Sequence, residues 1–261
     1  MQTYTKESLI AALQAISDRG WIATERGNND GNVGNVLEDL LGIEENNLPI
    51  PNAAEWELKA QRKRTASLVT LFHLEPSPTA LKFVPSILLP NYGWSHDKAG
   101  TIYPNSEMSF RQTIRCGLYS NRGFTVVVNR AEQRIEVIFD VTKVDQIKHS
   151  AWVDKIIQSG NSTLSPNPYW GFNDFYHKLG SKLHSCFYVI ADHKTEKGLG
   201  YFKYEEVYML KELSLEKMLS AFESGLIYVD FDARTGHNHG TKFRIKRADI
   251  MNLYASCTRI I

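Results

Sequence analysis

A mixed α/β fold, built around one central sheet with a β-rich excursion from it, is predicted by three features of the sequence. Apolar residues recur at helical spacing near the N-terminus, several short runs carry strand chemistry, and the two patterns interleave without an internal repeat. Residues 6–18 place Leu9, Ile10, Leu13 and Ile16 on one helical face, and Gly20 ends the pattern. A second helix is predicted over 33–41 from Val33, Val36, Leu37, Leu40 and Leu41, with Gly42 as its stop. The glycine- and asparagine-rich stretch between them lacks the Gly-Lys-Ser/Thr ending of a phosphate-binding loop.

Residues 55–59 alternate strictly and predict a strand, and 67–72 predict a second. The proline- and aromatic-rich residues 76–112 predict an irregular excursion. A hairpin is expected from 124–129 and 134–140 through a turn at 130–133, then a short helix over 152–157. Strands follow at 186–191 and 204–210, an amphipathic helix at 215–222, a strand pair at 226–231 and 241–245, and a short helix from Ala248. No boundary stands out, so residues 1–261 are expected to form a single unit.

With 43% hydrophobic and 23% charged residues, the chain has the composition of a soluble globular protein with a sizeable core. No apolar run approaches the roughly 20 residues that span a bilayer. The N-terminal MQTYTKESLIAAL lacks the basic head and cleavage site of a secretory signal, so a cytoplasmic location without membrane attachment is expected. Cys116, Cys186 and Cys257 are few and far apart, which suits a reducing compartment. A net charge of +1 argues against a polycation that coats nucleic acid, but not against an enzyme gripping DNA along one surface. Positive charge is clustered in Lys59, Arg62, Lys63 and Arg64, and again in Lys242, Arg244, Lys246 and Arg247; either block alone reads equally as a solvated face.

Chemistry first shows in the strand at 55–59. A side-chain period of two puts Glu55, Glu57 and Lys59 on one face and Trp56 and Leu58 on the other. Magnesium takes one or two carboxylates beside water and a phosphate oxygen, and a neighbouring lysine can orient the attacking water and offset charge on the phosphate. Two carboxylates and a lysine on one face can therefore cleave a phosphodiester, given a further oxygen ligand. The string is short and common, and the exposed face of a half-buried strand is the alternative reading. Glu38, near the end of the preceding helix, can add a carboxylate if that helix faces the strand.

The longer runs GNVGNVLEDLLG (31–42), ENNLPIPNAAEWELK (45–59) and SLVTLFH (67–73) resemble the MvaI/BcnI family of restriction endonucleases, relatives of the mismatch-repair nickase MutH. Near the C-terminus, VDFDARTGHNHGTKFRI (229–245) is similar to the base-reading segment of that family. The resemblance implies a restriction-endonuclease-like fold: a mixed central sheet flanked by helices. It also implies Mg²⁺-dependent cleavage of double-stranded DNA by a monomer at a short C-C-N-G-G-type site, leaving a 5′-phosphate. Glu57 and Lys59 match the acid-x-Lys pair, and Glu38 matches a helix glutamate near the site. About 1–75 would carry the catalytic elements, and about 226–261 the DNA-reading segment.

One position departs from the family. Where an aspartate ligand is expected, the chain has Asn52, whose amide oxygen can bind magnesium but brings no charge. Glu55, sharing a face with Glu57, can compensate, so Glu57, Glu55 and Asn52 form the expected metal set. In the C-terminal segment Arg234, His237, His239, Lys242 and Arg244 are the candidate DNA contacts, Arg being the commonest reader of guanine O6 and N7. An exposed polar hairpin is the alternative there, and no further zinc ligand matches the His-x-His. His73 matches a family histidine near the central base pair, or is a satisfied interior histidine, and Arg62 is a candidate phosphate contact. Tyr169, Trp170 and Trp94 read as packing groups. A type II restriction endonuclease with a cognate DNA methyltransferase is the leading expectation. A MutH-like nickase, or a DNA-binding protein that lost catalysis through Asn52, are the alternatives.

Overall fold

A computed structural model describes residues 4–26, 31–43 and 56–261. The chain begins with α1 (Lys6–Asp18), β1 (Ile22–Thr24), α2 (Asn32–Leu41) and β2 (Glu57–Arg62). It continues through β3 (Val69–His73), α3 (Leu89–Tyr92), β4 (Trp94–Ser95), β5 (Met108–Arg115), β6 (Arg122–Asn129), β7 (Arg134–Val144), α4 (Gln146–Gln158), β8 (Tyr169–Gly171) and α5 (Phe172–Lys178). The remainder is β9 (Ser185–Glu196), β10 (Leu199–Leu213), α6 (Leu215–Glu223), β11 (Ile227–Arg234), β12 (His237–Asn238), β13 (Lys242–Ile245), a 3-10 segment (Arg247–Leu253) and β14 (Tyr254–Arg259). No helix among the described residues is long and apolar enough to cross a membrane.

Two compact units divide the chain. The first is Met1–Val69, Tyr176–Lys217 and Lys246–Ile261; the second is Thr70–Phe175 and Met218–Ile245. In the first, a mixed sheet runs in the order β1-β10-β9-β2, with β14 also on β10. β2 lies parallel to β9, and the other pairings are antiparallel. Thr5 caps α1 by accepting from Ser8 N, with Ser8 reaching back to Thr5 N. Gly42 closes α2 at φ +63°, a conformation in which glycine carries no Cβ penalty. Leu9, Leu13 and Ile16 of α1 and Val33, Val36, Leu37 and Leu41 of α2 are buried in one cluster with Trp56, Leu58, Phe187, Val189 and Phe202. Each such large side chain taken out of water contributes roughly 1.5–3 kcal/mol.

The second unit holds a sheet in the order β3-β13-β11-β5-β4, with β12 on β11, and a smaller sheet β6-β7-β8. Phe243 is the centre of its aromatic core, with Phe72 stacked at 4.9 Å and Trp170, Phe175 and Phe222 edge-on at 5.1, 5.2 and 5.9 Å. Trp170 is fully buried and donates its indole N–H to Leu74 O, as its reading as a packing group requires.

The β-rich excursion thus consists of sheets of its own. Residues 76–112, expected to be irregular, contain short helical turns, α3, β4 and the first half of β5, the strand that completes the larger sheet. The helix expected over 152–157 begins earlier, at Gln146, because the Asp145 side chain caps it by accepting from Lys148 N. The helices at 6–18, 33–41 and 215–222 and the hairpin at 124–140 form as the sequence predicts, to within a residue or a few at each end.

Candidate active site and base-reading face

On β2 the alternation places Glu57, Lys59 and Gln61 on one face, and Leu58, Ala60 and Arg62 on the other. Glu57 is 1% exposed, and its Oε1 lies 2.7 Å from Lys59 Nζ. The parallel register sets Cys186 beside Glu57 and Tyr188 beside Lys59. Burial pushes the Cys186 thiol up to about 12 and, together with the nearby Cys186 and Glu57, pushes the Tyr254 hydroxyl well above its ordinary value. Both groups therefore stay neutral, and they lie close to each other in the wall behind the carboxylate. The Tyr188 hydroxyl donates to Gln61 Oε1 at 2.8 Å, while Gln61 Nε2 donates to Ser67 O at 2.7 Å. The acid and the lysine are thus fixed on a strand whose own support is hydrogen-bonded and dry.

Glu38 is half-buried on α2, and that helix meets the Trp56/Leu58 side of β2 rather than the Glu57/Lys59 side. Asn52 and Glu55 lie outside the described residues. Among the described residues no three His, Cys, Asp or Glu side chains converge as a metal site. The buried Glu57 carboxylate supplies one hard oxygen donor of the kind magnesium takes. Arg62 points away from Lys59, its guanidinium 5.5 Å over the Phe202 ring.

The second unit builds a different surface. Val229, Phe231 and Ala233 of β11 are buried, while Asp230, Asp232 and Arg234 face outward. On the flanking strands Lys242 and Arg244 of β13, and Arg111 and Thr113 of β5, share that outward face. Arg244 Nη1 lies 3.0 Å from Asp230 Oδ2, Lys242 Nζ 3.2 Å from Asp232 Oδ2, and Arg111 Nε 2.7 Å from Asp232 Oδ1. The Thr113 hydroxyl donates to Asp230 Oδ1 at 3.0 Å. Burial alone would raise the Asp232 carboxyl, but the Lys242 hydrogen bond and the charges of Arg111, Lys242 and His239 outweigh it and hold the group below the usual aspartate value. These residues line an open cleft of about 450 Å³.

At one end of this sheet the structure joins histidines far apart in sequence. The His237 and His239 rings meet edge-on at 4.2 Å. Gly240 adopts φ +82°, and a Cβ there would sit 3.4 Å from Glu75 Oε1 and 3.5 Å from His73 Cδ2, so His73 borders the 236–241 turn. Glu75 Oε1 also accepts from Thr241 N at 2.7 Å. Arg234 is occupied differently: it pairs with the buried Glu107 at 3.0 Å and stacks 4.7 Å over Tyr103.

Of the expected DNA contacts, Lys242 and Arg244 fall in the cleft, His73, His237 and His239 at the turn, Arg234 on a carboxylate, and Arg62 on an aromatic ring. The sequence reading missed Asp230, Asp232, Arg111 and Thr113. Alternation along β11 and the facing cations of β13 carry the signal for the aspartates. Arg111 and Thr113 needed β5, which the irregular composition hid.

The sequence model of the MvaI/BcnI restriction endonuclease family matches residues 10–254. No curated protein matches the chain. Among solved structures, the chain is similar to a restriction endonuclease MvaI–cognate DNA substrate complex, with a TM-score of 0.79 and 23% identity over 99% of this chain and 100% of that one. It is also similar to MvaI in the absence of DNA, with a TM-score of 0.54 and 23% identity over 100% of both chains. The fold is that of these endonucleases.

Proposed function

The chain belongs to the MvaI/BcnI restriction endonuclease family and is thereby a site-specific deoxyribonuclease; from that premise we propose that it cuts duplex DNA at a short C-C-N-G-G-like site with magnesium. The observation that carries this reading is the 2.7 Å contact between Glu57 and Lys59 on one face of a buried strand. Glu57, with Asn52 and Glu55 from the preceding residues, would hold the metal; Glu38, whose helix packs on the Trp56/Leu58 side of the strand, is given no part in holding it. Bound magnesium supplies Lewis acidity at the scissile phosphate and lowers the pKa of the attacking water. Lys59 orients that water and donates hydrogen bonds to the charge that develops on the phosphate oxygens. The wall of Cys186 and Tyr254 stays uncharged and keeps the carboxylate in place.

In the second unit, Arg244 and Arg111 present donors suited to guanine O6 and N7, and Asp230 and Asp232 present acceptors suited to cytosine N4. Donors and acceptors stand side by side along this one sheet face, so the cleft suits C·G-rich sequence. His73, His237 and His239 would contact bases beside it. The reading includes one endonuclease unit over 1–261, a monomer acting in the cytoplasm, with a methyltransferase that protects the host's own sites.

The test is incubation of the protein with unmethylated plasmid, with and without magnesium. Discrete fragments that need the metal are the expected result, and mapping their ends gives the site. Nicked circles alone would favour a MutH-like nickase. A specific gel shift without cleavage would mark a binder disabled at Asn52, which Asn52→Asp should then restore.

A further inference from the structure

The two basic blocks of the sequence divide in the structure. Lys242 and Arg244 line the cleft of the second unit, whereas Lys246 and Arg247 belong to the first. There Arg247 Nη1 donates to the main-chain oxygen of Lys63, tying the second block to the end of the catalytic strand. Arg247 also lies near enough to the Tyr188 hydroxyl, the register neighbour of Lys59, for its charge to act there. From Arg247 the 3-10 segment leads back to Tyr254, in the wall behind Glu57.

The cations of this patch are unequal. Lys63 is held by Glu205 at 3.2 Å and Glu206 at 3.3 Å, so its charge is already answered. Arg62 lies on Phe202, on the other face. Arg64 and Lys246 are exposed, and among the described residues no ion pair holds either. Four residues of strand separate Lys59 from Lys63, roughly 13 Å at about 3.3 Å per residue. Phosphates on one DNA strand are spaced about 3.4 Å along the helix axis. A duplex whose axis runs along β2 therefore reaches Lys63 about four base steps from the phosphate at Lys59.

We propose that Arg64, Lys246 and Arg247 form a clamp for the phosphate backbone of duplex DNA, supplying affinity without sequence preference, while Lys63 takes no part. The clamp rests on the reading of duplex DNA as substrate. It is tested by fluorescence anisotropy in EDTA, measuring binding of labelled duplexes with and without the cleavage site across a range of salt concentrations. Removing one phosphate contact should flatten the slope of log K against log salt by about 0.9. The Arg64→Ala/Lys246→Ala double variant should therefore lose about 1.8 of slope, and weaken both duplexes by the same factor. Lys63→Ala should keep the slope of the unaltered protein. Both substituted side chains of the double variant are exposed, and an unchanged melting temperature checks its fold; Arg247→Ala is left out because that side chain also pins its segment. An unchanged slope in the double variant, a loss confined to the site-bearing duplex, or an equal flattening by Lys63→Ala would each overturn the clamp. Failure of the unaltered protein to bind either duplex would overturn the substrate reading with it.

Discussion

The Glu57–Lys59 pair of the first unit and the charged cleft of the second use the same ingredients, carboxylates and cations on strand faces, in opposite ways. Glu57 is 1% exposed and lies 2.7 Å from Lys59, in a wall of neutral groups. In the cleft, Asp230 and Asp232 meet three cations and a hydroxyl along an open sheet face. A buried pair is rigid and costly to break, which suits a reaction that needs one geometry. An open lattice exchanges partners at low cost, because each carboxylate or guanidinium released toward a base edge leaves neighbours that still answer its charge. Position, rather than residue type, separates chemistry from reading.

The sharpest way to break the comparison is Lys59→Ala. Removing a donor aimed at developing charge should reduce cleavage by about 10²–10³-fold or more; undiminished cutting of duplex DNA would sink the assignment. The same change removes the cation beside the buried Glu57 carboxylate, so stability should fall by about 3 kcal/mol, the lower end for a broken buried pair because Lys59 keeps some exposure. Adding Glu57→Gln should recover part of that stability and none of the activity, as denaturant unfolding and plasmid cleavage would read. Asp232→Ala should act differently, leaving the chemistry intact but cutting discrimination between site and non-site duplexes by about 5–150-fold, equivalent to about 1–3 kcal/mol for a lost base contact. Equal loss on both duplexes would make Asp232 a brace for Lys242 and Arg111 rather than a reader.

How much of this was legible in the sequence follows from the range of the interactions involved. The α1 and α2 faces were readable because Leu9, Leu13 and Ile16, and Val33, Val36 and Leu37, repeat locally at helical spacing. Glu57 and Lys59 were readable for the same reason at a period of two, and the resemblance to a family raised a common string to a specific one. Cys186 and Tyr254 were not, because they reach Glu57 only through the parallel pairing of β2 with β9 and the return of the C-terminal segment. Asp230 and Asp232 stood in view but were passed over when only donors were sought for a DNA contact. Their pairing with Lys242 and Arg244 depends on strand register, and Arg111 depends on β5, whose Met108–Arg115 follows a stretch without periodicity.

A smaller effect sharpens the contrast inside the first unit. Gln61 shares the face of Glu57 and Lys59, but its amide serves only Tyr188 and Ser67 among the described contacts. Gln61→Ala should cost about 1–3 kcal/mol, because the buried Tyr188 hydroxyl loses its acceptor. Cleavage per folded molecule should stay close to normal. A collapse of activity with unchanged stability would instead make Gln61 part of the reacting group.

The smallest effect concerns acid. The folded state holds Asp232 below its ordinary pKa, against the raising effect of burial, through Lys242, Arg111 and His239. A lowered carboxyl stabilises the fold above its unfolded pKa of about 3.9, and that contribution is lost as pH falls through the lower folded value. Unfolding free energy measured from neutral pH downward should therefore decline less steeply below about pH 4 in Asp232→Asn than in the unaltered protein. The difference should be modest, because the aspartate keeps 19% of its side chain in solvent and its partners are screened. An identical acid profile in the variant would mean that the cations in the cleft do not hold Asp232 ionised. The cleft would then be a loosely paired surface, and the ordered acceptors proposed for cytosine would lose their physical basis.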